Sequence, residues 1–355
     1  MNYFKLIEVN DYKEWNDIVT SFLQYDIYYL SNYVKAFKIH GDGDPLLVYY
    51  DTDELRGINV VMKRDISRFA PFESLIAPEC YYDIITPYGY GGFLFEGDTS
   101  ESVLKRFYER YVEYLKNQHI VSEFVRFHPQ LNNANPMRIV DTVVDLGKTI
   151  AIDLTSVENI WSNFSCDNRT QIRKAEKSGI EIHHGKSLEL LDHFMNIYNV
   201  TMDKDQADTY YYFEKAFYES IHTDLHDNYE IFYAVMNGRI IAMAIMIYAN
   251  YRMHCHLMAS IYKYRTYAPS NLLIFEAACW GNKQGFKTMH LGGGIGAEDD
   301  SLFRFKKTFN RHSNEIFSTG KEIFNKDAYD SLVELRREAN STFDCNSSFF
   351  PLYRA

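Results

Sequence analysis

Residues 46–65 alternate as a half-buried sheet requires: LLVYY, a polar turn at Asp53-Glu54-Leu55-Arg56-Gly57, then INVVM. Residues 230–250 repeat the pattern, with EIFYAV, a turn at Asn237-Gly238-Arg239, and IIAMAIMIYA. Each stretch predicts a β-hairpin. Further along, each half carries an apolar-striped helix and then a strand. In the first half these are 100–118, where Leu104, Phe107, Tyr108, Tyr111 and Leu115 share a face, and 122–128. In the second half they are 270–285 and 286–292, with Gly285 where a helix end favours a left-handed residue. The first half also holds an additional stretch, roughly 66–98, that includes YYDIITPYGYGG. Strand, helices, hairpin, helix and strand, read twice, predict an α+β chain of two tandem domains. Each would hold a mixed, mostly antiparallel sheet flanked by helices. The expected spans are 1–147 and 148–327, joined near LGKTI at 146–150, with a C-terminal helix and tail over 328–355.

Composition narrows the class. The 355 residues carry a net charge of −11, which argues against nonspecific grip on DNA, where Lys and Arg must neutralise phosphates. The five cysteines are widely spaced with no CxxC, so free thiols are expected, with neither a disulfide framework nor a zinc site. The N-terminus lacks a basic region followed by an apolar run, and the longest apolar run, 240–249, is too short to span a bilayer. A cytoplasmic protein is the expectation. The aromatic share is 16%, with 29 Tyr and 25 Phe, which supplies flat apolar area with polar tips suited to a ligand groove or to a core.

The residues that offer chemistry concentrate in the second half. Gly292, Gly293 and Gly294 follow a strand and expose bare backbone, which lets a substrate or another chain segment approach closely. No GxxxxGK[ST] is present, so an ATP phosphate loop is excluded. Glu298, Asp299 and Asp300 precede a helix, where acidic residues complement the helix dipole. That helix, SLFRFKKTF, groups Leu302, Phe305 and Phe309 on one face with Lys306 beside it. Pro269 and Ser270 mark another helix start, where backbone N–H groups can meet an anion. Over 161–177, Arg169, Arg173 and Lys177 form an i, i+4, i+8 stripe, either solvated or facing an anion. His254 and His256 flank Cys255 on a strand and are expected on one face, lining a cleft or packing; with no third ligand nearby, no metal is expected.

GGG followed by EDDSLFRFKKTF and NEIFSTG resembles the C-terminal signature of FemAB-type transferases, a branch of the GNAT superfamily built from two tandem GNAT-like domains. WSNFSCDNRTQIRKAEKSGIEI, RTYAPSNLLIFEAACWGNKQGFKTMHLGGG and DIITPYGYGG extend the resemblance over roughly 80–310. It implies transfer of an acyl or aminoacyl group from an activated donor to a primary amine. Such transfer can rest on alignment and oxyanion stabilisation, without a nucleophile on the protein. On this resemblance Phe305-Lys306 matches the family's Phe-Lys pair, with Lys306 as the cation at the reacting carbonyl. Arg265-Thr-Tyr-Ala268-Pro-Ser270, with Asn271, resembles the turn that cradles the pyrophosphate of acyl-CoA, although Ala and Ser replace both glycines and Pro269 removes a donor. Asp83, before PYGYGG, is expected to accept the amine's proton or cap a turn, and Tyr267 to protonate the leaving group.

Three functions follow from this reading. The favoured one is an acyl-CoA-dependent N-acyltransferase acting on an amino sugar or cell-envelope precursor, with acyl-CoA a co-substrate rather than a resident cofactor. The second is an aminoacyl-tRNA-dependent aminoacyltransferase acting on a peptidoglycan (muropeptide) precursor. The third is a binding protein that keeps the fold. Proximity to a membrane is expected only if the acceptor is lipid-linked.

Overall fold

A computed structural model describes residues 3–355. In chain order the strands are β1 (Phe4–Glu8), β2 (Asp44–Asp51), β3 (Leu55–Asp65), β4 (Tyr82–Ile85), β5 (Leu94–Gly97), β6 (Ile120–Arg126), β7 (Val143–Asp153), β8 (Glu181–Gly185), β9 (Tyr229–Met236), β10 (Arg239–Ala249), β11 (Arg252–Ser260), β12 (Thr288–Gly292) and β13 (Glu315–Ile323). The helices are α1 (Tyr12–Thr20), α2 (Ser31–His40), α3 (Glu101–Asn117), α4 (Ala134–Met137), α5 (Val157–Asn163), α6 (Cys166–Lys177), α7 (Leu188–Asp205), α8 (Lys215–Asp224), α9 (Pro269–Lys283), α10 (Ser301–Lys307) and α11 (Lys326–Ala339). Among the described residues no helix is long and apolar enough to cross a membrane.

The chain divides into two compact units, one formed by residues 1–146 and 317–355, the other by 147–316. This differs from the expected spans. The C-terminal helix, expected as a tail, belongs to the first unit. LGKTI is no linker but lies inside β7, and the division falls within that strand. Hydrophobic periodicity reports the elements and not which distant segments complete a sheet.

In the first unit the strand order is β1-β2-β3-β4-β6-β13, with β5 pairing the start of β3. The β2–β3 hairpin is antiparallel, β4 and β6 run parallel, and β13 returns antiparallel to β6. One face is covered by α3, whose Leu104, Phe107, Tyr111 and Leu115 pack with Phe4, Phe93 and Ile120. A second cluster joins Val121 of β6 to Ala328, Tyr329 and Leu332 of α11 and to Tyr353.

In the second unit the order is β7-β12-β11-β10-β9-β8, with β11 and β12 parallel and the other neighbours antiparallel. Asn237 and Gly238 make the β9–β10 turn with positive φ at both positions, as a tight hairpin demands. Leu272, Leu273, Ile274, Ala277 and Ala278 of α9 are all at most 3% exposed, packed with α6 and the sheet in one apolar core. Burying each of the large aliphatic chains stabilises by about 1.5–3 kcal/mol. Gly285 has φ +86°, the helix end read from the sequence.

Candidate active site

The site begins where two parallel strands part. β11 and β12 pair at Arg252–Thr288, Met253–Met289 and His254–His290. Past His290, β12 pairs β7 at Gly292–Ile150, while β11 stays on β10 to Ser260. The two strands therefore share no register beyond His254 and His290. An open sheet takes ligands at such carboxyl ends, where peptide groups are exposed between diverging strands. A bulge accompanies the opening: Met246 pairs Cys255 and Ile245 pairs Leu257, which leaves His256 as the additional residue. This breaks strict alternation, so the argument that placed His254 and His256 on one face by spacing ends at Cys255.

The side chains around the opening are set by local chemistry. His254 is buried, with its ring 5.8 Å from that of His290, which shares a 2.9 Å hydrogen bond with Thr149 Oγ1. Burial and the neighbouring His254 push the His256 pKa down to about 3, so its imidazole is neutral at ordinary pH. Cys255, between them, is pushed up to about 11 by burial, against the pull of Lys306. The sequence reading passed over this thiol; alternate burial along an apolar strand gave no signal for it.

Lys306 is delivered by α10. Asp300 caps that helix, its Oδ1 accepting the Phe303 N–H at 2.7 Å and its Oδ2 accepting the Ile295 N–H at 3.1 Å. These backbone donors hold its carboxyl below the usual range. Asp299 instead accepts from Arg304 Nε at 3.0 Å. Phe305 packs on the core, edge-on to Phe309 at 5.3 Å. Lys306 Nζ donates to the Gly293 carbonyl at 2.7 Å, and among the described residues this is its one hydrogen bond. Burial lowers its pKa, while Cys255 and Asp300 pull the other way. A half-buried ammonium with donors to spare therefore faces β11 at Cys255, one residue past the last β11–β12 pair.

The glycines do something other than expected. A Cβ on Gly293 would meet Lys148 O at 3.0 Å; one on Gly294 would run into the Glu298 carbonyl and lie 2.5 Å from Asp300 Oδ1. Gly292 has φ +76°. The run clears room for the chain's own β7 and for the loop that enters α10, not for substrate.

The turn before α9 is a 3-10 segment, Tyr262–Tyr267, ending at Ala268 in left-handed conformation with φ 56°. Arg265 lies over the Tyr262 ring at 4.2 Å, and Tyr267 is 38% exposed. Asn271, expected at the cofactor, is committed elsewhere: its N–H returns to Ala268 O at 3.2 Å and its Nδ2 donates to Asn168 Oδ1 at 2.8 Å. Asn168, buried, donates to Thr308 O at 3.3 Å and receives the α6 cap from Ser165. This amide pair ties together the starts of α6 and α9 and the end of α10.

The basic stripe is also corrected. The helix read over 161–177 is two helices, broken at Phe164 and Ser165 because Ser165 caps α6. Arg169 Nη1 donates to Trp161 O at 3.2 Å and Phe164 O at 3.1 Å, closing the end of α5. Arg173 lies over the Trp161 ring at 5.2 Å. Arg169 thus satisfies carbonyls rather than an anion, and only Arg173 and Lys177 remain exposed.

Asp83 belongs to the first unit. It is fully buried, accepting from Arg64 Nε and Arg354 Nε at 2.6 Å each and from Tyr353 OH at 3.0 Å. Two guanidinium groups occupy both oxygens, so this carboxylate is an ion-pair hub and not a base open to an amine.

Comparison with known proteins agrees with this geometry. A family model described as acetyltransferase (GNAT) domain matches residues 163–307, from the end of α5 through α10. No curated protein matches the chain. A crystal structure of FemX is similar over 92% of this chain and 99% of its own, with a TM-score of 0.68 and 13% identity. A conserved protein of unknown function from Bacteroides thetaiotaomicron covers 91% of this chain and all of its own, with a TM-score of 0.57 and 13% identity. The C-terminal domain of a putative lysylphosphatidylglycerol synthetase from Agrobacterium fabrum covers 92% and 96%, with a TM-score of 0.53 and 13% identity. At such identity the likeness is one of fold. The chain thus carries, over 163–307, a segment similar to the acetyltransferase (GNAT) domain, and it shares its fold with FemX.

Proposed function

We propose that the second unit moves an acyl group from an activated donor, acyl-CoA in the favoured case, to a primary amine of an amino sugar or another cell-envelope precursor. The observation that carries this is the parting of β11 and β12 with the Lys306 ammonium beside it. The donor carbonyl would lie past His254 and His290, where peptide groups of diverging strands can align it. The amine attacks the carbonyl carbon, the C–N bond forms and Lys306 stabilises the oxyanion. The C–S bond then breaks, the thiolate takes a proton from solvent or from Tyr267, and the amine's proton leaves to water. Phe305 and His254 would line the acyl pocket. Arg265, Ala268 and Ser270 would meet the donor's phosphates, and Arg173 the acceptor. The reaction would take place in the cytoplasm.

One observation favours aminoacyl-tRNA as donor instead. Pro269 has no N–H and Asn271 is committed to Asn168, so the first turn of α9 is a poor pyrophosphate cradle. Calorimetric titration with acetyl-CoA, with desulfo-coenzyme A and a charged-tRNA pool alongside, separates the two. Micromolar binding of both coenzyme A compounds supports the first donor, and retention of charged tRNA alone supports the second. If neither binds, the chain is no transferase for these donors.

A further inference from the structure

The second unit carries a cleft that acyl transfer does not use. It encloses about 540 Å³ between the start of the unit's first strand, the loop before α10, α10 itself and residues 311–314. Its floor is apolar, from Ile150 and the ring of Phe303. Lys148, Lys307 and Arg311 line it, all exposed, and among the described residues none of the three makes an ion pair. Lys307 reaches over the Phe303 ring, 5.9 Å from its centre. Of the two acids on the rim, Asp299 is tied to Arg304 and only Glu298 opposes the cations. In a chain of net charge −11, three unpaired cations around one concavity reverse the global sign, which a solvated surface gives no reason for. Successive residues on a helix point about 100° apart, so Lys307 leaves α10 on a different side from Lys306.

We infer that this cleft is a second binding site, for an organic phosphate whose flat apolar part rests on Phe303 and whose phosphate is held by Lys148, Lys307 and Arg311. Guanidinium and ammonium groups bind phosphate through charge-assisted hydrogen bonds, and the aromatic floor adds contact area that inorganic phosphate cannot use. The inference rests on the cleft alone and stands or falls apart from the acyl-transfer reading.

The test is calorimetric titration of the full chain with phenyl phosphate and with inorganic phosphate at low ionic strength. Phenyl phosphate should bind more tightly, and its affinity should fall as salt is raised. Lys307→Ala combined with Arg311→Ala should weaken it by about tenfold or more, while Lys174→Ala, an exposed cation on α6, should not. Circular dichroism melts of these surface variants should match the parent. Absence of binding would overturn the site, as would equal affinity in the double variant. Equal affinity for both phosphates would overturn the role of Phe303.

Discussion

Each unit contains a parallel strand pair that follows a hairpin and encloses a helix, and the two pairs end differently. In the first unit, β4 and β6 pair from Tyr82–Ile120 to Ile85–Phe124, and the loop beyond continues the bonding. Thr86 N–H donates to Phe124 O at 3.1 Å, Arg126 N–H to Thr86 Oγ1 at 3.1 Å, and Gly91 N–H to Arg126 O at 2.7 Å. Asn133 fixes the same loop through Gly91 O at 2.8 Å. In the second unit, β11 and β12 share three register pairs and then take other neighbours, β10 and β7. The same supersecondary motif is sewn shut in one unit and left open in the other. Backbone groups freed from a ladder need partners, and the proposed reaction sets the donor carbonyl at the open pair.

The sharpest way to break this contrast is to remove the cation at the open pair. Lys306→Ala should lower kcat by about 10²–10³, the loss seen when a single oxyanion donor is removed, with the melting temperature little changed. Full turnover in a defined acyl-transfer assay would refute the assignment. Asp83→Asn probes the closed pair. It leaves the Arg64 and Arg354 guanidinium groups facing a neutral amide, and about 3 kcal/mol of stability should be lost, read by denaturant melts, with kcat per folded molecule unchanged. A selective fall in kcat would restore Asp83 as a base.

The two units should also part in their response to pH. Glu123, on β6, is pushed up to about 8, chiefly by burial, although Tyr111 and Asn59 hydrogen-bond it. Asp141 is pushed up to about 7 by burial and by Glu322. A carboxyl raised above its unfolded value stabilises the fold while protonated, so this contribution fades as pH rises through the range near 7 to 8. The first unit should melt earlier at about pH 9 than at about pH 6, and Glu123→Gln should shrink the difference. An unchanged pH dependence would mean that Glu123 is already ionised. The smallest effect is expected from Thr86→Val, which deprives the Arg126 N–H of its acceptor and should cost about 1–3 kcal/mol without altering transfer.

What the sequence made legible is what period and turn chemistry encode. The hairpins at β2–β3 and β9–β10, α3 and α9 with their following strands, Gly285, and the tandem organisation all follow from patterns within a few dozen residues. Lys306 stands out only through a short motif. The errors share one cause, partners remote in sequence or hidden in backbone. Asp83 is neutralised by Arg354, 271 residues away. Gly293 and Gly294 are small because Lys148 and Glu298 pass beside them, not because a ligand does. Arg169 was closer to readable. Ser165 is a good cap residue, and placing a helix start there would have left the last carbonyls of α5 within its reach.

The return of the chain at Phe317 has a consequence for biosynthesis. The second unit is one continuous stretch, 147–316, and can fold as soon as it has left the ribosome. The first unit begins earlier and ends later. Its last sheet strand, α11 and the Tyr353–Arg354 pair that holds Asp83 are made only after the second unit is complete. Until those residues are made, Asp83 has Arg64 but lacks Arg354 and Tyr353. The half of the molecule without the open strand pair is thus the half that depends on residues 317–355. Truncation before Tyr353 should cost this protein its first unit rather than its second.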